Sequence, residues 1–222
     1  MSRRILVVAP HPDDETLGAG GAIAKWAADG DEVTVLVVSG HLPPLYPSDA
    51  FETTVAEAQE AFAMLGVAKS SFLRIPATQI GNVPVHEFNA AIESVVRDCS
   101  PHVVLCPYPD RHIDHRQIFD AVQVATRPVV GRQTIEMLAA YETLSETHWN
   151  APHIEPNFTP NWIVDISAQI DLKLAALACY ASQIPPFPGA RSLEACRALA
   201  QFRGTQAGFG HGEGFHIIRM IG

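Results

Sequence analysis

The chain has 222 residues and a formal net charge of −9, and charged residues make up only 18% of it. Hydrophobic residues make up 47%, which is enough for a buried core and argues against a disordered chain. The acidic balance argues against nucleic acid as a partner. We see no apolar run of membrane-spanning length, so we predict no membrane insertion. Four scattered cysteines without a CxxC pair favour reduced thiols and a cytoplasmic location.

Predicted strands and helices alternate through the first part of the chain. In order, they are a strand over 4–9, a helix over 15–28, a strand over 32–39, a helix over 51–65, a strand over 71–75, a helix over 84–99, a strand over 102–106 and a helix over 114–125. The strands are apolar on both faces, as in sheets covered by helices on two sides. This order predicts an α/β fold with a doubly wound, mostly parallel sheet.

The C-terminal part shows a weaker pattern. We predict further strands over 137–141 and 162–166 and a helix over 169–181, and we expect the proline- and glycine-containing remainder to be rich in loops. The whole chain, 1–222, is predicted to be one domain, with a core over 1–142 and a C-terminal elaboration over 143–222.

Two clusters of histidine and aspartate follow two of the predicted strands. The segment APHPDDE at 9–15 comes directly after the first strand, and DRHIDH at 110–115 follows the fourth. In a doubly wound sheet of order 3-2-1-4-5, strands 1 and 4 are neighbours, and their carboxyl ends form the switch point at which ligands bind. The sequence therefore predicts that both clusters meet at one site.

The residue types in these clusters are those of a catalytic metal site. Imidazole and carboxylate groups bind zinc, and three protein ligands leave a fourth position open. The candidate ligands are His11, Asp14 and His115. Asp13 remains free beside the metal, where a carboxylate can take a proton from metal-bound water. We therefore expect hydrolysis with one Zn²⁺ per subunit, and other divalent metals would suit the same ligands.

Other polar residues accompany these ligands. We expect Asp114 to hold His112 oriented and protonated, so that His112 stabilises an oxyanion or protonates a leaving amine. Arg111 and Glu213 are candidates for lining a substrate pocket, although a structural role is equally compatible with the sequence.

Two structural interpretations compete with these functional ones. Taken alone, aspartates after a strand are more often helix N-caps than metal ligands, and it is the second cluster at the switch point that favours a metal site. Gly18, Gly20 and Gly21 lie inside the first predicted helix. They indicate close packing of that helix and make a dinucleotide-binding loop a weak interpretation.

These motifs resemble those of the LmbE/PIG-L family of zinc-dependent N-deacetylases. The family motif AHPDDE appears as APHPDDE at 9–15, and the second motif, HxDH, appears as HIDH at 112–115. Looser matches extend to GEGF at 212–215, so the resemblance covers nearly the whole chain. It implies a Rossmann-like three-layer α/β sandwich. For the site it implies the same zinc ligands, the same general base, and the HxDH histidine, supported by its aspartate, as an electrostatic or acid catalyst.

The resemblance also implies a substrate class and an assembly. It implies removal of the N-acetyl group from an N-acetyl amino sugar or its conjugate, with N-acetylglucosamine derivatives as typical small-molecule substrates, and it implies a homo-oligomer. The chain has Thr54 and Tyr180 where relatives often carry arginine and histidine. These departures leave the particular substrate open.

Three alternatives remain. A metal-dependent amidase acting on a non-sugar N-acyl substrate needs the same site. A non-haem Fe(II) oxygenase also uses two histidines and one carboxylate. A non-catalytic metal-binding protein needs only the ligands. A free carboxylate next to the ligands, at Asp13, favours hydrolysis over the last two.

Overall fold

Strands and helices alternate in the computed structural model, which describes residues 2–130, 135–151 and 153–222. They are, in chain order, β1 (Arg4–Ala9), α1 (Asp14–Ala28), β2 (Glu32–Gly40), α2 (Ala50–Leu65), β3 (Lys69–Pro76), α3 (Val85–Cys99), β4 (Val103–Pro107), α4 (Ile113–Ala125), β5 (Met137–Tyr141), β6 (Trp162–Asp165), α5 (Ile170–Ala178), α6 (Leu193–Thr205) and β7 (Gly212–Met220). None of the described helices is both long enough and apolar enough to cross a membrane.

The strands form one seven-stranded sheet of order β3-β2-β1-β4-β5-β7-β6. β1 to β5 pair in parallel, and β7 runs antiparallel to both β5 and β6. The predicted order 3-2-1-4-5 is therefore confirmed. The switch point lies between β1 and β4, because the chain winds outward from these two strands in opposite directions.

Alternate residues of β1 face opposite sides of the sheet, as the two-residue period of a strand requires. Ile5 and Val7 belong to the core formed with α1, α2, α5 and α6. Leu6 and Val8 belong to the core formed with α3 and α4. All four side chains are fully buried, which explains why the strand is a continuous apolar run. The helices thus cover both faces, and the fold is the expected three-layer α/β sandwich.

The C-terminal segment is more regular than the sequence pattern indicated. The part expected to be rich in loops contains α6 and β7, and β7 lies inside the sheet between β5 and β6. The glycines in this segment led the sequence pattern to predict loops in place of α6 and β7. A Cβ atom on Gly212 would lie 2.7 Å from Ile163 Cγ2 and 3.0 Å from the backbone nitrogen of Gly204. These glycines allow close approach of helix and strand, whereas in sequence they are typical of turns.

The glycines of α1 pack closely, as the sequence predicted. A Cβ atom on Gly18 would lie 2.2 Å from Tyr141 Cδ2 and 2.7 Å from the carbonyl oxygen of Glu142. Gly18→Ala is therefore expected to lower the free energy of unfolding by about 1–3 kcal/mol, the usual cost of overpacking. Contacts this short place the overpacking cost in the upper part of that range, so that it exceeds the gain of about 1 kcal/mol in helix propensity. Urea denaturation measures the difference.

Gly20→Ala is the matched control in the same helix. There the new Cβ atom would meet the side chains of Thr16 and Lys173 at 3.2 and 3.3 Å, which need to give way only slightly. Equal stability of the two variants would contradict the packing role assigned to Gly18.

Candidate metal centre

The sheet topology brings the two histidine-aspartate clusters together. Parallel pairing places Val7 of β1 opposite Leu105 of β4, so the two strands end side by side. His11 follows β1, and His115 lies in the first turn of α4, which follows β4. The ring centroids of these histidines lie 5.8 Å apart although 104 positions separate them in the sequence.

Three of the gathered side chains form a candidate ligand set. Oδ2 of Asp14 lies 3.1 Å from His11 Nδ1 and 3.4 Å from His115 Nε2. The three ligand atoms lie within 4.8 Å of one another. Asp14 Oδ1 and His115 Nε2 are buried and form no hydrogen bond with any residue in the described parts of the chain. Buried polar atoms normally have partners, so two imidazoles and a carboxylate in this state fit a zinc ion.

A carboxylate stands behind each of the two histidines. Asp110 Oδ2 lies 3.0 Å from His115 Nδ1, and Asp114 Oδ2 lies 2.9 Å from His11 Nε2. Metal-binding histidines usually donate their second ring N–H to such a group, which fixes the tautomer and the ring orientation. Sequence reasoning did not assign this role to Asp110. The one feature of the sequence that could have indicated this role is that Asp110 lies five residues before His115, a candidate ligand in the first turn of a helix.

The pairing expected for Asp114 is not observed. Its carboxylate contacts His11 and accepts a hydrogen bond from the backbone N–H of Thr78 at 2.8 Å. His112 instead caps α4, because its Nδ1 accepts the backbone N–H of Asp114 at 3.2 Å. Burial and the neighbouring His11 lower the pKa of His112, which disfavours the protonated form expected from the sequence. Because Nδ1 accepts a hydrogen bond, the ring hydrogen of neutral His112 belongs on Nε2.

A second set, His11, His112 and Asp114, also places its ligand atoms within 4.8 Å of one another. Asp114 Oδ1 is buried and unpaired among the described residues just as Asp14 Oδ1 is, so the carboxylates do not distinguish the two sets. The histidines do: His115 Nε2 is buried without a described partner and Asp110 lies on its Nδ1, whereas His112 Nδ1 accepts the backbone N–H that it caps. The geometry therefore favours the set of His11, Asp14 and His115.

The pKa values of the three preferred ligands are shifted so that the carboxylate is ionised and the two imidazoles hold protons in the absence of a metal. Burial would raise the pKa of Asp14, but His115 and His11 hold it well below its usual range. Burial lowers the pKa of both histidines, yet their carboxylate neighbours outweigh this and raise it to about 9 for His11 and to about 10 for His115. A metal ion must therefore displace protons, and its affinity is expected to fall in acid.

Asp13 lies next to the ligand set with one oxygen unused. Its φ is 114°, a strained value for a non-glycine residue and one that often marks functional sites. Oδ2 accepts a hydrogen bond from Arg191 Nη1 at 2.9 Å, whereas Oδ1 is buried and has no partner among the described residues. Burial raises the pKa of Asp13 to about 7, although Arg191 opposes this shift. A pKa near neutrality suits a general base.

The structure separates the two residues predicted to contact substrate. Arg111 donates to Glu146 at 2.7 Å, and Glu146 lies 3.5 Å from Arg191, so Arg111 is linked to the site. Glu213 lies elsewhere, against the middle of α1, and forms a buried ion pair with Lys173 at 2.6 Å. This arrangement favours a structural role for Glu213, and a substrate contact stays an untested prediction.

Thr54 and Tyr180, where the chain departs from the family pattern, are both buried. The Thr54 hydroxyl donates to the carbonyl oxygen of Phe51 at 3.1 Å, and the Tyr180 hydroxyl donates to the Glu15 carboxylate. Both hydroxyls are therefore engaged within the protein. Glu15 is thereby tied to Tyr180 and does not contact a candidate ligand histidine.

The fold and the cluster define an α/β protein with a candidate catalytic metal centre at the switch point of its sheet. Residues 6–126 match the PIG-L family, described as GlcNAc-PI de-N-acetylase, and the chain belongs to this family.

Matched relatives extend the likeness to nearly the full chain. The chain is 27% identical to a 1D-myo-inositol 2-acetamido-2-deoxy-alpha-D-glucopyranoside deacetylase from Rhodococcus jostii, over 90% of this chain and 88% of the relative. It is 27% identical to a diacetylchitobiose deacetylase from Thermococcus kodakarensis, over 99% and 84%. The solved N,N'-diacetylchitobiose deacetylase from Pyrococcus horikoshii superimposes with a TM-score of 0.79 at 25% identity, covering 98% of this chain and 84% of that one. All three are deacetylases, that is, hydrolases of amide bonds.

Proposed function

We propose that this chain is a zinc-dependent hydrolase that removes the N-acetyl group from an N-acetyl amino sugar or its conjugate. The observation that carries the proposal is the buried set of His11, Asp14 and His115, next to Asp13, whose Oδ1 has no partner in the described parts of the chain. The deacetylase relatives support the N-acetyl sugar as the substrate class. The family resemblance also implies a homo-oligomer, and the length of the chain predicts a single domain over 1–222; both stay predictions.

The chain's own residues can supply the proton transfers of this reaction. A zinc ion on these ligands would polarise a carbonyl group and lower the pKa of water toward neutrality. Asp13 Oδ1 accepts the proton that the attacking water loses. His112 Nε2–H donates to the acyl oxygen as negative charge develops there. Asp13 returns the proton to nitrogen as the C–N bond breaks, so amide and water yield amine and acetic acid, which ionise to ammonium and acetate at neutral pH.

Zinc is expected to stabilise the fold through this ligand set. At a hundredfold excess over its Kd, a ligand that binds only the folded state adds about 2.7 kcal/mol. For a chain of this size, that raises Tm by roughly 5–10 °C. His115→Ala is expected to abolish most of the increase because it removes one of three ligands. Thermal unfolding of metal-stripped protein with and without zinc measures it.

His86→Ala is the matched control, because His86 is an exposed histidine on α3. It is expected to keep the full zinc-dependent increase in Tm. An equal increase in the His115 variant would contradict the ligand assignment.

The substrate class is tested by measuring amine release from zinc-loaded protein without oxygen. The probes are N-acetylglucosamine, N,N'-diacetylchitobiose and an N-acetylated amino acid. Release from a sugar supports the proposal, whereas release from the amino acid alone indicates a non-sugar amidase. A parallel assay of iron-loaded protein in air covers the oxygenase, because activity that appears only there would indicate one. A zinc-loaded protein without activity on any probe would indicate a metal-binding protein.

A further inference from the structure

Arg191 is the partner of the candidate base, and it comes from a distant part of the chain. It lies between α5 and α6, 178 positions after Asp13, and its Nη1 donates to Asp13 Oδ2 at 2.9 Å. Its side chain is mostly buried, with 22% of its surface exposed. A mostly buried arginine that is hydrogen-bonded to the candidate general base is a candidate for a functional role.

Two further residues hold the Arg191 guanidinium in place. Nε donates to Ser145 Oγ at 2.9 Å, and Nη2 lies 3.5 Å from Glu146 Oε1. The planar guanidinium is therefore held by contacts from three of its nitrogens, and such a rigid fork fixes the geometry of a carboxylate better than a lysine ammonium does. Ser145 and Glu146 lie between β5 and β6, so three separate segments meet at this group.

This contact distinguishes the two oxygens of Asp13. Oδ2 is bound to Arg191, whereas Oδ1 is buried and unpaired within the described parts of the chain. Asp14 and Glu15 follow directly and are also buried acids. A third buried carboxylate without a cation would be repelled by both. Arg191 thus balances the charge of Asp13 and keeps its side chain from turning.

We infer that Arg191 is a positioning residue for Asp13: its guanidinium holds Oδ2 so that Oδ1 faces the reacting water. The inference rests on the proposed function. It makes the segment between α5 and α6 part of the active site, although that segment carries none of the candidate metal ligands.

A double-mutant cycle tests whether Arg191 acts through Asp13. The proteins are wild type, Arg191→Met, Asp13→Asn and the double variant, loaded with zinc and assayed for amine release from N,N'-diacetylchitobiose. Misplacing a catalytic group typically costs a factor of about 100, so Arg191→Met is expected to lower kcat roughly 100-fold, with KM changed much less. In the protein that already carries Asp13→Asn, adding Arg191→Met is expected to lower kcat no further.

The conservative variant and chemical rescue separate positioning from general structural damage. Arg191→Lys keeps the charge but loses the fork, so its kcat is expected to lie between those of wild type and Arg191→Met. Free guanidinium ion, well below denaturing concentration, is expected to restore part of the kcat of Arg191→Ala. Arg197→Met is the matched control, because Arg197 is a more exposed arginine that pairs with Asp171 at 2.6 Å. It is expected to keep wild-type kcat.

Two measurements without turnover keep this inference distinct from the proposed function. Zinc content is expected to stay at one ion per chain in all four proteins of the cycle. In urea, Arg191→Met is expected to unfold earlier than wild type, and adding Asp13→Asn is expected to restore part of the stability. If wild type releases no amine, the proposed function fails, but the urea cycle still reports on the pair. Additive losses in kcat, a raised kcat in Arg191→Met, or no coupling in urea would each overturn the positioning role.

Discussion

Asp13→Asn is expected to bind one zinc ion per chain and to lose a factor of roughly 10² to 10⁴ in kcat, the usual contribution of a general base. The amide has nearly the shape of the carboxylate and can still accept the hydrogen bond from Arg191 Nη1. It cannot take a proton from water at neutral pH. The metal ligands are untouched, so zinc content and its effect on Tm are expected to be those of wild type. Amine release at saturating substrate and elemental analysis check the two halves of the prediction.

Asp171→Asn is the matched control for Asp13→Asn. Asp171 is an exposed aspartate on α5 that forms an ion pair with Arg197, away from the candidate metal centre. It is expected to keep wild-type kcat and zinc content. A wild-type rate in the Asp13 variant would show that another group accepts the proton, and loss of zinc would show that Asp13 is itself a ligand.

Lys173→Met is expected to be the most destabilising single substitution that we describe. Lys173 Nζ donates to Glu213 Oε1 at 2.6 Å and to the carbonyl oxygen of Leu17 at 2.8 Å. Glu213 accepts the backbone N–H groups of Gly21 and Ala22 in the middle of α1. Removing the lysine leaves a buried carboxylate without its cation, which typically costs about 3–5 kcal/mol. Urea denaturation measures the loss.

A second substitution tests this explanation and the role of Glu213. The double variant Lys173→Met, Glu213→Gln is expected to regain part of the lost stability, because no charge is left unpaired. Lys69→Met, which affects the exposed pair of Lys69 with Glu32, is expected to leave the free energy of unfolding nearly unchanged. If Glu213→Gln alone raised KM for a sugar without loss of stability, the substrate contact expected from the sequence would be correct and the structural role wrong.

Local sequence features were sufficient for the central part of the fold. Apolar runs, helix periods and turn residues predicted β1 to β5 in the order 3-2-1-4-5, and this order is confirmed. Because topology alone then joins the ends of β1 and β4, the sequence also predicted which histidines and aspartates would meet. The same rules missed α6 and β7, since the close helix-strand packing at Gly204 and Gly212 requires glycines that are otherwise typical of loops.

The sequence by itself determined the parallel sheet, the candidate ligand types and the free carboxylate beside them, because these depend on residue type and on spacing within single elements. The tertiary structure decided which side chains form hydrogen bonds and ion pairs with one another. Asp114 contacts His11, 103 positions away, and not His112, whose Nδ1 caps α4. Arg191 reaches Asp13 across 178 positions, and Glu213 pairs with Lys173 away from the ligands. Side-chain pairing of this kind depends on the packing of distant segments, which no local pattern encodes.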